Sequence, residues 1–195
     1  LSSLMAWVEL LEDKDVDKSM LEEMKKDVIR LHTVTDRFSK IGSQPELTPG
    51  DITSALKSSV GYMRPRISKQ VEINLLGCDD KVNILPLFNQ SLLSWVLENL
   101  LRNSVDAMEG KGSIQITLTS LPELVQIDIE DSGKGISRSN ARNVFTPGFT
   151  TKKRGWGLGL SLTKRIIEEY HGGKITLLKT EPGVGTTFRI ILKAS

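Results

Sequence analysis

Asn99, Asn103 and Asp106 stand four and three residues apart in the stretch WVLENLLRNSVDAM, Trp95 to Met108. That spacing puts two amides and a carboxylate on one stripe of a helix. Leu97, Leu100, Leu101, Ser104 and Met108 recur at similar intervals on a second stripe, which marks a core face. Polar groups flanked by leucines need partners if they are buried. The polar stripe therefore faces either water or a polar ligand, and the helix alone does not choose between them.

Three glycine-bearing segments bear on that choice. Asp131-Ser132-Gly133-Lys134-Gly135 directly follows a strand pattern. Alone it is turn chemistry. In a site, Asp131 would accept a hydrogen bond from an exocyclic amine, as adenine offers, while Gly133 and Gly135 let backbone approach a flat ring. Gly155-Trp156-Gly157-Leu158-Gly159-Leu160 opens a helix, where glycines let N–H groups crowd an anion at the positive helix end. The run does not follow a strand, which removes the dinucleotide reading, and no Gly-x-x-x-x-Gly-Lys-Ser/Thr occurs. Thr150, Thr151, Lys152, Lys153 and Arg154 stand just before it. Hydroxyls and cations beside a phosphate cradle fit a triphosphate; a loop of that composition standing alone would be a solvated basic one. Gly183 to Phe188 leads the last strand as a hairpin turn, and in context the Thr186 hydroxyl could support a base, directly or through water. A triphosphate calls for a cation. The Asn103 amide oxygen, phosphate oxygens and waters would make a Mg²⁺ shell, since Mg²⁺ takes few protein ligands.

Composition sets the bounds. The chain has 195 residues, 38% hydrophobic and 26% charged, with a net charge of +2. That is ordinary for a soluble protein, and it makes no general case for nucleic-acid or membrane binding. A single cysteine, Cys78, excludes an internal disulfide and a cysteine-based zinc site. Its usage fits a reducing compartment, so a cytoplasmic location is expected. No apolar run is long enough to span a bilayer. His32 lies beside a hydrophobic seam and His171 at a helix C-terminus, where a cation and a cap are both wanted. Both are read as structural.

The positioning elements follow from periodicity. Leu1, Leu4, Val8 and Leu11 mark one helix; Leu21, Met24, Val28, Leu31, Thr35 and Phe38 mark a second with a heptad seam. Asp13-Lys14-Asp15 joins them into an antiparallel hairpin, which pairing with a second copy would complete as a four-helix bundle. A linker at 42–48 separates this unit, 1–44, from a second, 45–195. There, Thr48-Pro49-Gly50-Asp51 predicts a helix start with a hydroxyl cap and a first-turn proline. Strands are expected at Val71–Leu75, within Lys81–Leu87, and at Ser113–Thr119, Leu124–Ile129, Lys174–Thr180 and Thr186–Lys193. Helices are expected from Asn89 to Glu109 and from Leu158 to Tyr170. Residues 137–154 show little periodicity and read as a functional loop. The fold class is α+β: helices on one face of a mixed or antiparallel sheet, preceded by the hairpin.

In this order the segments resemble the catalytic ATP-binding domain of sensor histidine kinases, in the GHKL superfamily with its Bergerat-type α/β sandwich. Glu98 to Asn103 resembles the N box and Asp131 to Gly135 the first glycine box. Phe145 to Lys152 resembles the F box, Gly155 to Leu160 the second glycine box, and Gly183 to Phe188 the last. The hairpin resembles the dimerisation and histidine-phosphotransfer domain. The resemblance implies ATP and Mg²⁺ as cofactors, with Asn99 and Asn103 as catalytic residues: Asn103 on the metal, Asn99 holding phosphates. It implies Asp131 on the adenine amine, flanked by Gly133, Gly135 and Thr186. Thr150, Thr151, Lys152, Gly155, Gly157, Leu158, Gly159 and Leu160 would hold phosphate under a mobile lid at about 137–154. Partners would be a second copy, through the hairpin, and the receiver domain of a response regulator, with no nucleic acid and no membrane contact by this chain. Phosphate would pass from ATP to a histidine and on to a regulator aspartate. Family kinases carry that histidine a few residues before a Thr-Pro-Leu. Leu1-Ser2-Ser3-Leu4 resembles the stretch just after that proline, so the acceptor is expected upstream.

Two other readings compete. A GHKL ATPase of the gyrase, Hsp90 or MutL kind would use a glutamate one helical turn before the Mg-binding Asn to activate water. Here that position is Asn99, and Glu98 is one residue, about 100°, off. A non-enzymatic dimeric adaptor would be expected to carry a broken motif, and all five boxes are intact.

Overall fold

The computed structural model describes Val28, residues 45–78, residues 85–152 and residues 156–194. Apart from Val28, the expected hairpin over 1–44, with its seam and His32, lies outside the described residues, as do residues 81–84 of one expected strand and Lys153, Arg154 and Gly155 of the phosphate loop. The chain divides into two compact units, Leu1–Pro45 and Glu46–Ser195, and every element with defined bounds lies in the second.

Its centre is a five-stranded mixed sheet in the order β2-β4-β5-β7-β6. These strands are β2 (Val71–Leu76), β4 (Gly112–Leu121), β5 (Leu124–Asp131), β6 (Lys174–Glu181) and β7 (Gly185–Lys193). Only the β2–β4 pair is parallel, joined by a crossover through α2 (Gln90–Ala107). The other three pairs are antiparallel. Alternation builds the central strand: Val125, Ile127 and Ile129 are 0–1% exposed, while Gln126, Asp128 and Glu130 point away from the core. On that outer face Arg189 grips Asp128 with two donors, Nε at 2.7 Å and a terminal nitrogen at 2.6 Å. A slip of one residue would break this fork and turn the slipped strand's apolar side chains to the other face. The register it helps fix places Asp131 directly opposite Thr186.

Helices α1 (Ile52–Met63), α2 and α4 (Gly159–Arg165) share the apolar face, with a single-turn α3 at Arg138–Ala141. Leu93, Val96, Leu97, Leu100 and Leu101 of α2 are at most 1% exposed, and α2 packs on α1, α4 and β5. Each such leucine stabilises the fold by roughly 1.5–3 kcal/mol. Asn89 caps α2, its Oδ1 accepting from Leu92 N at 3.1 Å.

Three expectations are corrected. Thr48 does not cap α1. The cap is Asp51, whose Oδ1 accepts from Ser54 N at 3.1 Å. Thr48 and Pro49 form instead a two-residue strand, β1, paired antiparallel with β3 (Leu87–Phe88). An aspartate next to the first turn outcompetes a threonine three residues earlier. Second, α4 does not run as an α-helix to Tyr170; Ile166–Tyr170 forms one π-helical turn. Third, His171 is no cation on a helix end. It is 5% exposed, and its Nε2 accepts from Asn89 N at 3.1 Å while its Nδ1 donates to Ile166 O at 2.8 Å. Both ring nitrogens are thereby committed to the neutral Nδ1–H tautomer. The ring ties the end of the π turn to the start of α2.

Burial holds the His171 imidazole below its ordinary value, despite its bond to Ile166. The folded chain thus binds fewer protons than the unfolded one just below that ordinary value. Stability is complete above the unfolded imidazole's pKa and falls as pH drops through it, by at most about 1.4 kcal/mol per pH unit. Urea titrations between pH 7.5 and pH 5 should show this loss, and a His171→Asn chain should show a shallower one.

Candidate functional site

The site lies where the amide stripe of α2 meets the end of β5 and the start of α4. Asp131 closes β5 and is 4% exposed. Its Oδ1 accepts from Gly133 N at 3.0 Å, and it also takes hydrogen bonds from the Ser104 hydroxyl and the Thr186 backbone. Burial nonetheless outweighs these donors and raises the carboxyl above its ordinary value. A carboxyl kept from water with acceptor capacity to spare suits a ligand that brings its own N–H donor.

The glycines around it have steric reasons. A Cβ on Gly133 would lie 2.7 Å from Ala107 Cβ of α2. Gly135 has φ +66° and lies against the Glu181 carbonyl; Gly185 crowds the Asp131 carbonyl. Lys134 N donates to Ala107 O at 3.0 Å and Gly183 N to Lys134 O at 2.8 Å. The loop after Asp131 is thus laced to both α2 and the β6–β7 turn. Thr186 is buried, with Oγ1 3.2 Å from Thr180 Oγ1, which accepts from Ile136 N at 2.8 Å.

Asn99 and Asn103 are half-buried on α2. Asn99 Nδ2 donates to the fully buried Thr163 Oγ1 at 2.9 Å, and its Oδ1 faces Gly159, where a Cβ would come within 2.5 Å. Asn103 Oδ1 accepts from Lys152 Nζ at 2.9 Å, and the same ammonium meets Asp106 Oδ2 at 2.6 Å. Two oxygens on one helix face thus already hold one cation, which is the donor chemistry Mg²⁺ takes. Thr150 and Thr151 are exposed; Thr150 Oγ1 accepts from Lys152 N at 3.1 Å. Gly157 has φ +65° and its carbonyl accepts from Gly148 N at 3.1 Å. Leu158 and Leu160 are half-buried at the start of α4. Among the described residues no group of three or more His, Cys, Asp or Glu could hold a metal.

The structure therefore brings Asn99 to Gly159, Asn103 to Lys152, and Asp131 to Gly133 and Thr186. Gly155 lies outside the described residues. Sequence reasoning missed Ser104, Thr163 and Thr180. Ser104 stood on the leucine stripe and read as core, and isolated threonines carry no spacing signal.

Two substitutions test the geometry. Gly159→Ala must turn the Asn99 amide, and loss of its bond to Thr163 should weaken binding of an ATP analogue by about five- to tenfold with the circular dichroism unchanged. Asp131→Asn should abolish adenine-nucleotide binding in isothermal titration while stabilising the empty chain. A raised carboxyl stabilises the fold at low pH and loses that contribution as pH rises through the raised value. The variant's melting temperature should accordingly gain more on the wild type at pH 8 than at pH 4.

The sequence profile of the family described as histidine kinase-, DNA gyrase B-, and HSP90-like ATPase matches residues 88–195. AtoS, a signal transduction histidine-protein kinase of Escherichia coli strain K12, is 44% identical over 164 aligned residues, covering 72% of this chain and 27% of AtoS. The nitrogen regulation protein NtrY of Azorhizobium caulinodans is 28% identical over 196, covering 94% of this chain and 24% of NtrY. The chain spans about a quarter of the length of these curated relatives. The solved catalytic domain of the histidine kinase ThkA is similar at a TM-score of 0.68 and 27% identity, covering 76% of this chain and 96% of that one. ThkA in complex with the response regulator TrrA reaches 0.71 at 22% identity, covering 100% of this chain and 57% of that one. The profile takes in more than half of the sequence, and the chain belongs to the histidine kinase-, DNA gyrase B- and HSP90-like ATPase family.

Proposed function

We infer that this chain is the ATP-binding catalytic core of a protein-histidine kinase in a two-component system. It transfers the γ-phosphoryl of ATP to a histidine, from which a response-regulator aspartate takes it. The observation that carries transfer over hydrolysis is Asn99. At the position one turn before Asn103 stands an amide, and its nitrogen is already donating to Thr163. An amide accepts no proton from water, so the site lacks a general base there. Family membership and the likeness to AtoS and ThkA support the same reading.

Each residue then has a role. Asp131 accepts from the adenine amine, with Thr186 beside it and Gly133 and Gly135 giving the ring room. Asn99 holds phosphate oxygens. Asn103 offers its amide oxygen to Mg²⁺, which bound with the triphosphate would neutralise charge on the transferring group. Lys152, Thr150, Thr151 and the backbone at Gly155, Gly157, Leu158, Gly159 and Leu160 hold the phosphates at the start of α4. Transfer forms one nitrogen–phosphorus bond and breaks the bond to the β-phosphate oxygen, and ADP leaves. Such a reaction needs mostly positioning and neutralisation. Residues 137–154 close over the site and keep water from the γ-phosphate. Residues 1–44 form the hairpin that dimerises and meets the regulator's receiver domain; residues 45–195 form the catalytic domain. No helix among the described residues is long and apolar enough to cross a membrane. Transfer to a response regulator would place the core in the cytoplasm, whatever a longer parent chain attaches to.

The test uses γ-labelled ATP with this chain and with one extended upstream through the expected acceptor. Label only on the extended chain, stable to base and lost in acid, is the expected result. Acid-labile label on the 195-residue chain itself would overturn the upstream acceptor. Free phosphate with no labelled protein would replace the kinase with a GHKL ATPase. No nucleotide binding at all would leave a dimeric adaptor.

A further inference from the structure

Lys152 is held by three hydrogen bonds. Its backbone N–H donates to Thr150 Oγ1 at 3.1 Å, and its ammonium donates to Asn103 Oδ1 at 2.9 Å and to Asp106 Oδ2 at 2.6 Å. The last two acceptors lie one turn apart on α2 and converge on a single point. We propose that Asn103 Oδ1 and Asp106 Oδ2 form one cation seat, filled by the Lys152 ammonium before nucleotide arrives and by the nucleotide's divalent ion afterwards, with Asp106 as a positioning residue for that ion. The proposal deepens the reading above and rests on Asn103 as the metal-side residue.

The seat is exclusive for an electrostatic reason. An ammonium and a divalent ion about 3 Å apart repel each other strongly, and among the described residues Asp106 is the one carboxylate paired with that ammonium. The exchange also fits the distances. Mg²⁺ sits about 2.0–2.1 Å from its oxygens and keeps several waters. Either the two oxygens close in by less than an ångström or Asp106 meets the ion through a water. The displaced ammonium is left beside the incoming triphosphate, whose oxygens are its next acceptors. Seating the metal and freeing the loop that bears Lys152 are then one event.

A plain surface ion pair is the competing account, since Lys152 and Asp106 are 42% and 46% exposed and such pairs contribute little. That account gives the Asn103 oxygen no part. The proposal makes the three groups interdependent, with opposite signs for the two partners.

The test is Mn²⁺ binding to the nucleotide-free 195-residue chain, read from the free-ion electron paramagnetic resonance signal at low ionic strength. Mn²⁺ takes the same oxygen ligands as Mg²⁺. Lys152→Met empties the seat and should tighten Mn²⁺ binding by about tenfold, and Asp106→Asn should weaken it by about 10- to 100-fold. Unchanged Mn²⁺ affinity in Lys152→Met overturns the proposal, as does unchanged affinity in Asp106→Asn, or no Mn²⁺ bound by any chain. A fluorescent ATP analogue in EDTA separates this from the larger reading. Binding by the wild type and by Asp106→Asn keeps the nucleotide site whatever Mn²⁺ does, and binding by neither overturns both.

Discussion

A carboxyl held out of water at the end of the central strand is the constraint the site is built around. Asp131 is all but closed to water where it stands, and three of its neighbours offer it donors. Gly133 turns its N–H back, Ser104 gives its hydroxyl, and β7 delivers Thr186 opposite. These donors do not fully offset burial. The remaining cost is a standing demand for one more donor. A buried acceptor that is underserved in the empty protein discriminates well, because a ligand lacking the matching donor leaves it so.

The helix α2 serves two masters by splitting its surface. Leu93, Leu97, Leu100 and Leu101 seal the interior at 0–1% exposure, while its amides stay half-buried on the other side. The two sides meet at Ser104, which is 2% exposed yet bonds to Asp131. A core position thereby carries part of the polar site. The same double use occurs at Thr163, buried completely and committed to orienting Asn99.

What was legible in the sequence was whatever repeats or clusters. The leucine stripe, the β alternation and the ordered glycine boxes pointed to the layered α+β domain, and Gly133, Gly135, Gly157, Gly159 and Gly185 proved to be where backbone or side chains would collide with a methyl group. What stayed hidden were single residues whose partners come from elsewhere. Thr180 on β6 reaches Ile136 in the loop after β5, and His171 reaches Asn89 across 82 positions. The cap of α1 was misread because Thr48 and Asp51 both make local sense, and only the pairing of β1 with β3 decides between them. The π turn left no trace in the hydrophobic spacing. The hairpin lies outside the described residues and stands as proposed.

The Asp131–Thr186 pairing has a consequence for how the molecule comes into being. Its two partners meet only after β5 and β7 have closed a long loop, and the Asn103–Lys152 contact closes another. Contacts of that sequence separation form late and slowly, since chain entropy is lost before any reward arrives. Both pairs draw their two members from segments far apart in the chain. Emerging from the ribosome, the chain brings Asp131 and Thr186 together only when β7 has docked, so the finished sheet and this end of the candidate site arrive together.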